Sequence, residues 1–228
     1  GIEAVGTGAG SLTMLDNDVA TVGGYGILGV LFTNATVSGN AVRNAGLTGI
    51  ELDGAGGVAT ISNNTVAMTG DEGIYFDDFA SATTSGNSIA NVAGNGIEAV
   101  GLSNGNLTIT GNNLDTATLG NGIVASAFVN VIATGNAVSD TGLTGIMLTG
   151  IGGGNVTASG NTVDGVTSGD GIRFASYVTA TASGNSIANV SDNGIEAVGT
   201  GAGSLTMLDN VIASVGSHGI QAISFPNA

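Results

Sequence analysis

The chain has 228 residues, 42 of them glycine, with one proline, no cysteine and no tryptophan, and it carries 17 acidic side chains against two basic ones for a net charge of −15. So acidic a balance excludes binding to nucleic acid or anionic lipid, which need a basic surface. No apolar run is long enough to enter a bilayer as a helix, so membrane insertion is excluded as well.

In chain order, the first coil reads as a strand at Ile2–Val5, a glycine-rich loop, a second strand running up to Asn17, and a third around Val19. The pattern then recurs: Gly-Ile returns with isoleucine at positions 27, 50, 74, 97, 123, 146, 172, 195 and 220, at spacings of 23 to 26 residues. A strand-ending asparagine keeps step with it, at Asn17, Asn40, Asn64, Asn87, Asn112, Asn136, Asn161, Asn185 and Asn210. β-Branched runs bounded by Gly, Asn and Asp are strands and turns, and a fixed period of this length is a stacked solenoid. The expectation is an all-β, right-handed parallel β-helix of about nine coils of ~24 residues, with three short strands per coil.

Each asparagine lies 10 or 11 residues before the next Gly-Ile isoleucine, whereas the other arm of the coil varies from 13 to 15. One corner is therefore fixed, and asparagines in register there form a structural ladder that satisfies the polar groups of the turn. Inside, the second inward column of the Gly-Ile strand runs Ala4, Gly29, Leu52, Phe76, then Ala99, Ala125, Leu148, Phe174, then Ala197 and Ala222. The facing strand has Met14, Ile109 and Met207 where that column has alanine, and Thr84 and Ala182 where it has phenylalanine. Large meets small, as close packing demands. This defines a four-coil super-repeat inside one solenoid segment, with units at 1–95, 96–193 and a partial one at 194–228; residues 1–17 are identical to 194–210. The segment reads as part of a longer array.

With its Gly-Ile strands, strands such as VTASGN and LTITGN, and turns such as GNSIANV, the whole chain resembles the right-handed parallel β-helix repeat superfamily of pectate-lyase-like enzymes, sugar epimerases, phage tailspikes and large bacterial surface adhesins. The resemblance implies the fold and leaves activity open between polysaccharide processing and adhesion. Pectate lyases combine basic residues with calcium-binding acids, yet lysine is absent here and Arg43 and Arg173 lie five coils apart. The clustered aspartates of polygalacturonase-like enzymes have a partial analogue in Asp77 and Asp78, with Asp53 one coil earlier, but His218 is six coils away. No catalytic or cofactor-binding residue is assigned, and the chain is expected not to be an enzyme.

Four surface features remain. A column of threonines, Thr36, Thr60, Thr83, Thr108, Thr157, Thr181 and Thr206, interrupted by Ile132, lines one outward face. Threonine simply suits an exposed strand; sharper readings are a packing face between rods and, as a minor alternative, a likeness to the threonine arrays of ice-binding solenoids. Phe32, Phe79, Phe128, Tyr177 and Phe225 mark a corner in every second coil and are expected to fold inward as plugs. Leu28, Val124 and Met147, each just after a Gly-Ile isoleucine, are expected to be exposed as a contact surface. Asp71, Glu72, Asp77 and Asp78 with Asp53 could hold Ca2+ through oxygen ligands; one super-repeat later, Gly169, Asp170, Ala175 and Ser176 have lost most of those carboxylates, which favours solvated charge and no cofactor.

The leading expectation is a structural or adhesive extracellular or cell-surface protein, a fibre subunit or adhesin stalk that associates with itself end to end or laterally. The alternative is a polysaccharide-binding or polysaccharide-degrading β-helix protein.

Overall fold

The computed structural model describes residues 1–225, which contain twenty strands and no helix; the last three residues of the partial third unit lie outside them. All pairings are parallel, and they assemble two sheets that run along the whole stack. The nine-stranded sheet is made of the five-residue strands that follow each ladder asparagine, from Asp18–Val22 to Val211–Val215. The eleven-stranded sheet starts at Ile2–Val5 and ends at Ile220–Ile223.

Only the first coil keeps the three separate strands expected, Ile2–Val5, Ser11–Leu15 and Asp18–Val22. In later coils the Gly-Ile strand and the strand leading to the asparagine run together into one of 12 to 14 residues, such as Ile27–Ser38 and Ile97–Thr110. The cause is local. The residue before each corner aromatic adopts left-handed backbone, at Leu31 (φ 60°), Asp78 (φ 56°), Ala127 (φ 61°) and Ser176 (φ 64°). One such residue bends the chain as a bulge and slips the register without ending its pairing to neighbouring coils.

Register is set by the isoleucines, which stack from Ile2 on Ile27 through to Ile195 on Ile220. From Ile27 to Ile195 they are fully buried. The stack also explains the glycine before each one: a Cβ on Gly122 would overlap Val138 and the carbonyl of Gly145, and at Gly96 the side chain of Leu114 and the carbonyl of Gly122 fill the same space. Any side chain there would hold the next coil off. Leu52, Phe76, Leu148 and Phe174 are buried, and so are Thr84 and Ala182. Burying the Thr84 hydroxyl is tolerable because it accepts a hydrogen bond from Nδ2 of Asn87 at 3.0 Å. Phe79, Phe128 and Tyr177 are buried plugs, each ring lying over a glycine of the coil before, Gly54, Gly101 and Gly150. Phe32 and Phe225 are only partly buried.

Candidate functional site

The nine ladder asparagines meet end to end. From Asn17 to Asn185, each Nδ2 donates to Oδ1 of the asparagine one coil later at 2.8 to 3.0 Å. The same Oδ1 takes a second bond from the earlier residue's backbone N–H, at 2.9 to 3.1 Å. The remaining Nδ2 proton goes to a main-chain carbonyl of the preceding coil, for example Ile109 for Asn136 at 3.0 Å. From Asn40 to Asn185 these amides are buried and have both donors and the oxygen engaged. The threonines also stack in one column, Thr36 on Thr60, Thr60 on Thr83, Thr83 on Thr108, with Ile132 between Thr108 and Thr157, then Thr181 and Thr206.

A second polar column, passed over in the sequence, lies two residues before each isoleucine: Tyr25, Thr48, Glu72, Asn95, Asn121, Thr144, Asp170, Asn193 and His218. The backbone N–H and Nδ2 of Asn121 both donate to Oδ1 of Asn95, at 2.7 and 3.0 Å, and Thr144 N–H donates to Oδ1 of Asn121 at 3.0 Å. Asn193 makes the same pair of bonds to Oδ1 of Asp170, at 3.2 and 2.9 Å. His218 is exposed, its Nδ1 3.1 Å from Oδ1 of Asn193 and 3.0 Å from the Ser217 hydroxyl.

Beside this column stand the side chains that follow each isoleucine, and over the early coils the two enclose a groove. One hollow of about 320 Å³ is lined by Tyr25, Leu47, Thr48, Glu51, Asp71, Glu72, Tyr75 and Glu98. It shares Tyr25 with a second, of about 210 Å³, that includes Glu3 and Leu28. The expected contact surface needs correction: Val124 is 7% exposed, the short member of its column between Glu98 and Met147, while Leu28 and Met147 are half-buried.

The ion pairs among the described residues are Arg43 with Asp18 and Arg173 with Asp170 and Glu196, so no cation compensates the groove acids. Burial raises the Glu51 carboxyl above its ordinary range, with Asp77, Asp71 and Asp53 adding repulsion against the lowering effect of Thr48. Glu72 is raised by burial, then by Asp71 and Glu98. Asp77, one coil beyond Asp53 in register, is raised by burial and by Asp53 and Asp78. The Tyr75 hydroxyl donates to its Oδ2 at 3.1 Å, while Oδ1 is buried without a partner. Burial and Asp77 push the Tyr75 phenol upward in turn. Among the described residues no three acidic or histidine side chains converge where a metal ion could sit, so Asp53, Asp71, Glu72, Asp77 and Asp78 form no such group.

One super-repeat later the same positions carry Asp170, Arg173, Asn193 and Glu196. Arg173 Nε lies 3.1 Å from Glu196 and Nη1 3.7 Å from the buried Asp170.

Parallel coils, an internal amide ladder and a polar groove along the outside together define a β-helix protein. The chain belongs to the right handed beta helix region family, which matches residues 1–128 and again 73–227. Among solved structures, the crystal structure of the periplasmic alginate epimerase AlgG is similar over 93% of this chain, with a TM-score of 0.53 and 17% sequence identity. The chain spans 50% of that enzyme, and the likeness is one of fold. No curated protein matches. No helix among the described residues is long and apolar enough to cross a membrane.

Proposed function

We propose that the chain binds a polysaccharide lacking carboxylate groups, neutral or amino-bearing, along the groove of the early coils, outside the cytoplasm. The observation that carries this is the pairing of Tyr25 and Tyr75, flat faces for the C–H side of a sugar, with the uncompensated carboxylates of Glu51, Glu72 and Glu98 as hydrogen-bond acceptors. A uronate chain would bring like charge to acids that already repel one another. Affinity electrophoresis tests it: gels carrying mixed-linkage β-glucan or chitosan should retard the chain, alginate should not, and Tyr75→Ala should weaken retardation at least tenfold. Retention by alginate, or by none of the three, refutes it. Assaying the same mixtures for new reducing ends separates binding from cleavage.

The near-identical super-repeat supports a second reading, a stalk or fibre segment whose rod spaces other parts. It predicts that Tyr75→Ala leaves the length and assembly of the rods unchanged.

A further inference from the structure

The outward side of the strand leading to the ladder corner is an open sheet face, three columns wide and nine coils long, bounded by Ser11, Leu15, Ser204 and Leu208. Hydroxyls and amides occupy most of it. The exceptions are Leu15, Val58, Ile132 and Leu208, exposed by 47 to 54%. None of the 17 acids and neither arginine stands on this face, whereas the outward side of the nine-stranded sheet carries Asp18, Arg43, Asp115 and Asp164, and that of the Gly-Ile strands carries Glu3, Glu51, Asp53 and Asp77. Copies of a chain with net charge −15 repel wherever acids meet, and this face is where they can approach without that cost.

We propose that two copies of this chain pair laterally, face to face and antiparallel, through this uncharged sheet. Five residues of strand by nine coils give a plane of about 16 by about 43 Å, or roughly 700 Å², near the ~800 Å² per partner of a standard stable interface. Two-fold pairing puts the same patch on both sides. With the symmetry axis lying across the rods, each column meets itself, and Leu15 of one copy covers Leu208 of the other. A parallel pair would set the Leu15 column against the Ser11 column and leave both leucines on polar side chains. The groove lies across the aromatic corner from this face, so pairing and glycan binding are separable.

Sedimentation velocity over a concentration series should show a reversible dimer. Thr36→Glu with Thr206→Glu, both at exposed positions, should weaken it at least tenfold without changing the melting temperature, whereas Ala67→Glu with Ala90→Glu on the other sheet should not. Should the first pair of substitutions unfold the chain, Thr83→Glu alone carries the same test. The absence of native cysteine allows a check of orientation: with oxidised glutathione as the oxidant, Leu15→Cys mixed with Leu208→Cys should form a mixed disulfide, and Leu15→Cys alone should not. A monomer at every concentration, a dimer indifferent to charge on this face, or a Leu15→Cys homodimer overturns the proposal.

Discussion

Glu72, Tyr75, Asn95 and Glu98 occupy the same places in the coil as Asp170, Arg173, Asn193 and Glu196, and the two quartets solve the same problem differently. In the later one Arg173 sits between two carboxylates, and one of the chain's two cations is spent on closing the surface. In the earlier one tyrosine replaces arginine and Asp53 and Asp77 add charge one layer along the strand; burial raises Glu72 there as it raises Glu196 in the later quartet, but only in the later one does an arginine work against the rise. Because the coil fixes the backbone, the difference is made by side chains alone. The earlier quartet tolerates repulsion that the later one shows to be avoidable, which is the expected mark of a surface kept open for a ligand.

Removing the bridge should have the largest effect. Arg173→Met leaves Asp170 buried with only Asn193 as donor, and should lower the unfolding free energy by about 2 kcal/mol, below the range for a fully buried pair because the guanidinium is 42% exposed; urea denaturation measures it. Next comes the plug that differs between the units. Phe79 is matched by Tyr177, whose hydroxyl is buried without a partner, so Tyr177→Phe should stabilise by about 1 kcal/mol in the same experiment.

The smallest effect sharpens the contrast most. Glu51, Glu72 and Asp77 have raised pKa values in the folded chain, so it binds their protons more readily than the unfolded chain does. Their contribution to stability is full below the unfolded carboxyl range, about pH 4, and is lost as pH rises through the folded values. The melting temperature should therefore rise on acidification from neutrality towards that range. Tyr75→Arg, which copies the later quartet, should raise the melting temperature at pH 7 by a degree or two, for a gain under about 1 kcal/mol, and flatten the pH profile. An unchanged profile in that variant means the acids do not act as a group.

The coil was legible because it repeats: isoleucines, ladder asparagines and the large-against-small columns each recur at fixed positions, and one misplaced residue would break the stack. The second polar column was spaced just as regularly, yet it mixes Thr48, Glu72, Asn95 and His218, and with no shared residue type it left no textual signal. The merging of two strands is not legible, because the same residues stay separate at 2–15 and run together at 195–208. The groove was hidden for a different reason. One wall holds Tyr25 and the other Glu51 and Glu98, residues that lie in different coils and meet only across the turn.

The ladder has one more property. Every link points the same way, each amide oxygen towards the earlier coil and each NH2 towards the later one. Amide dipoles stacked head to tail add, and chained bonds polarise one another, so the rod's interior is an axial electret, negative towards its first coils. The column at the other corner runs in the opposite sense, but with fewer links it offsets this only in part. Two such rods lying side by side lower their field energy by pointing opposite ways.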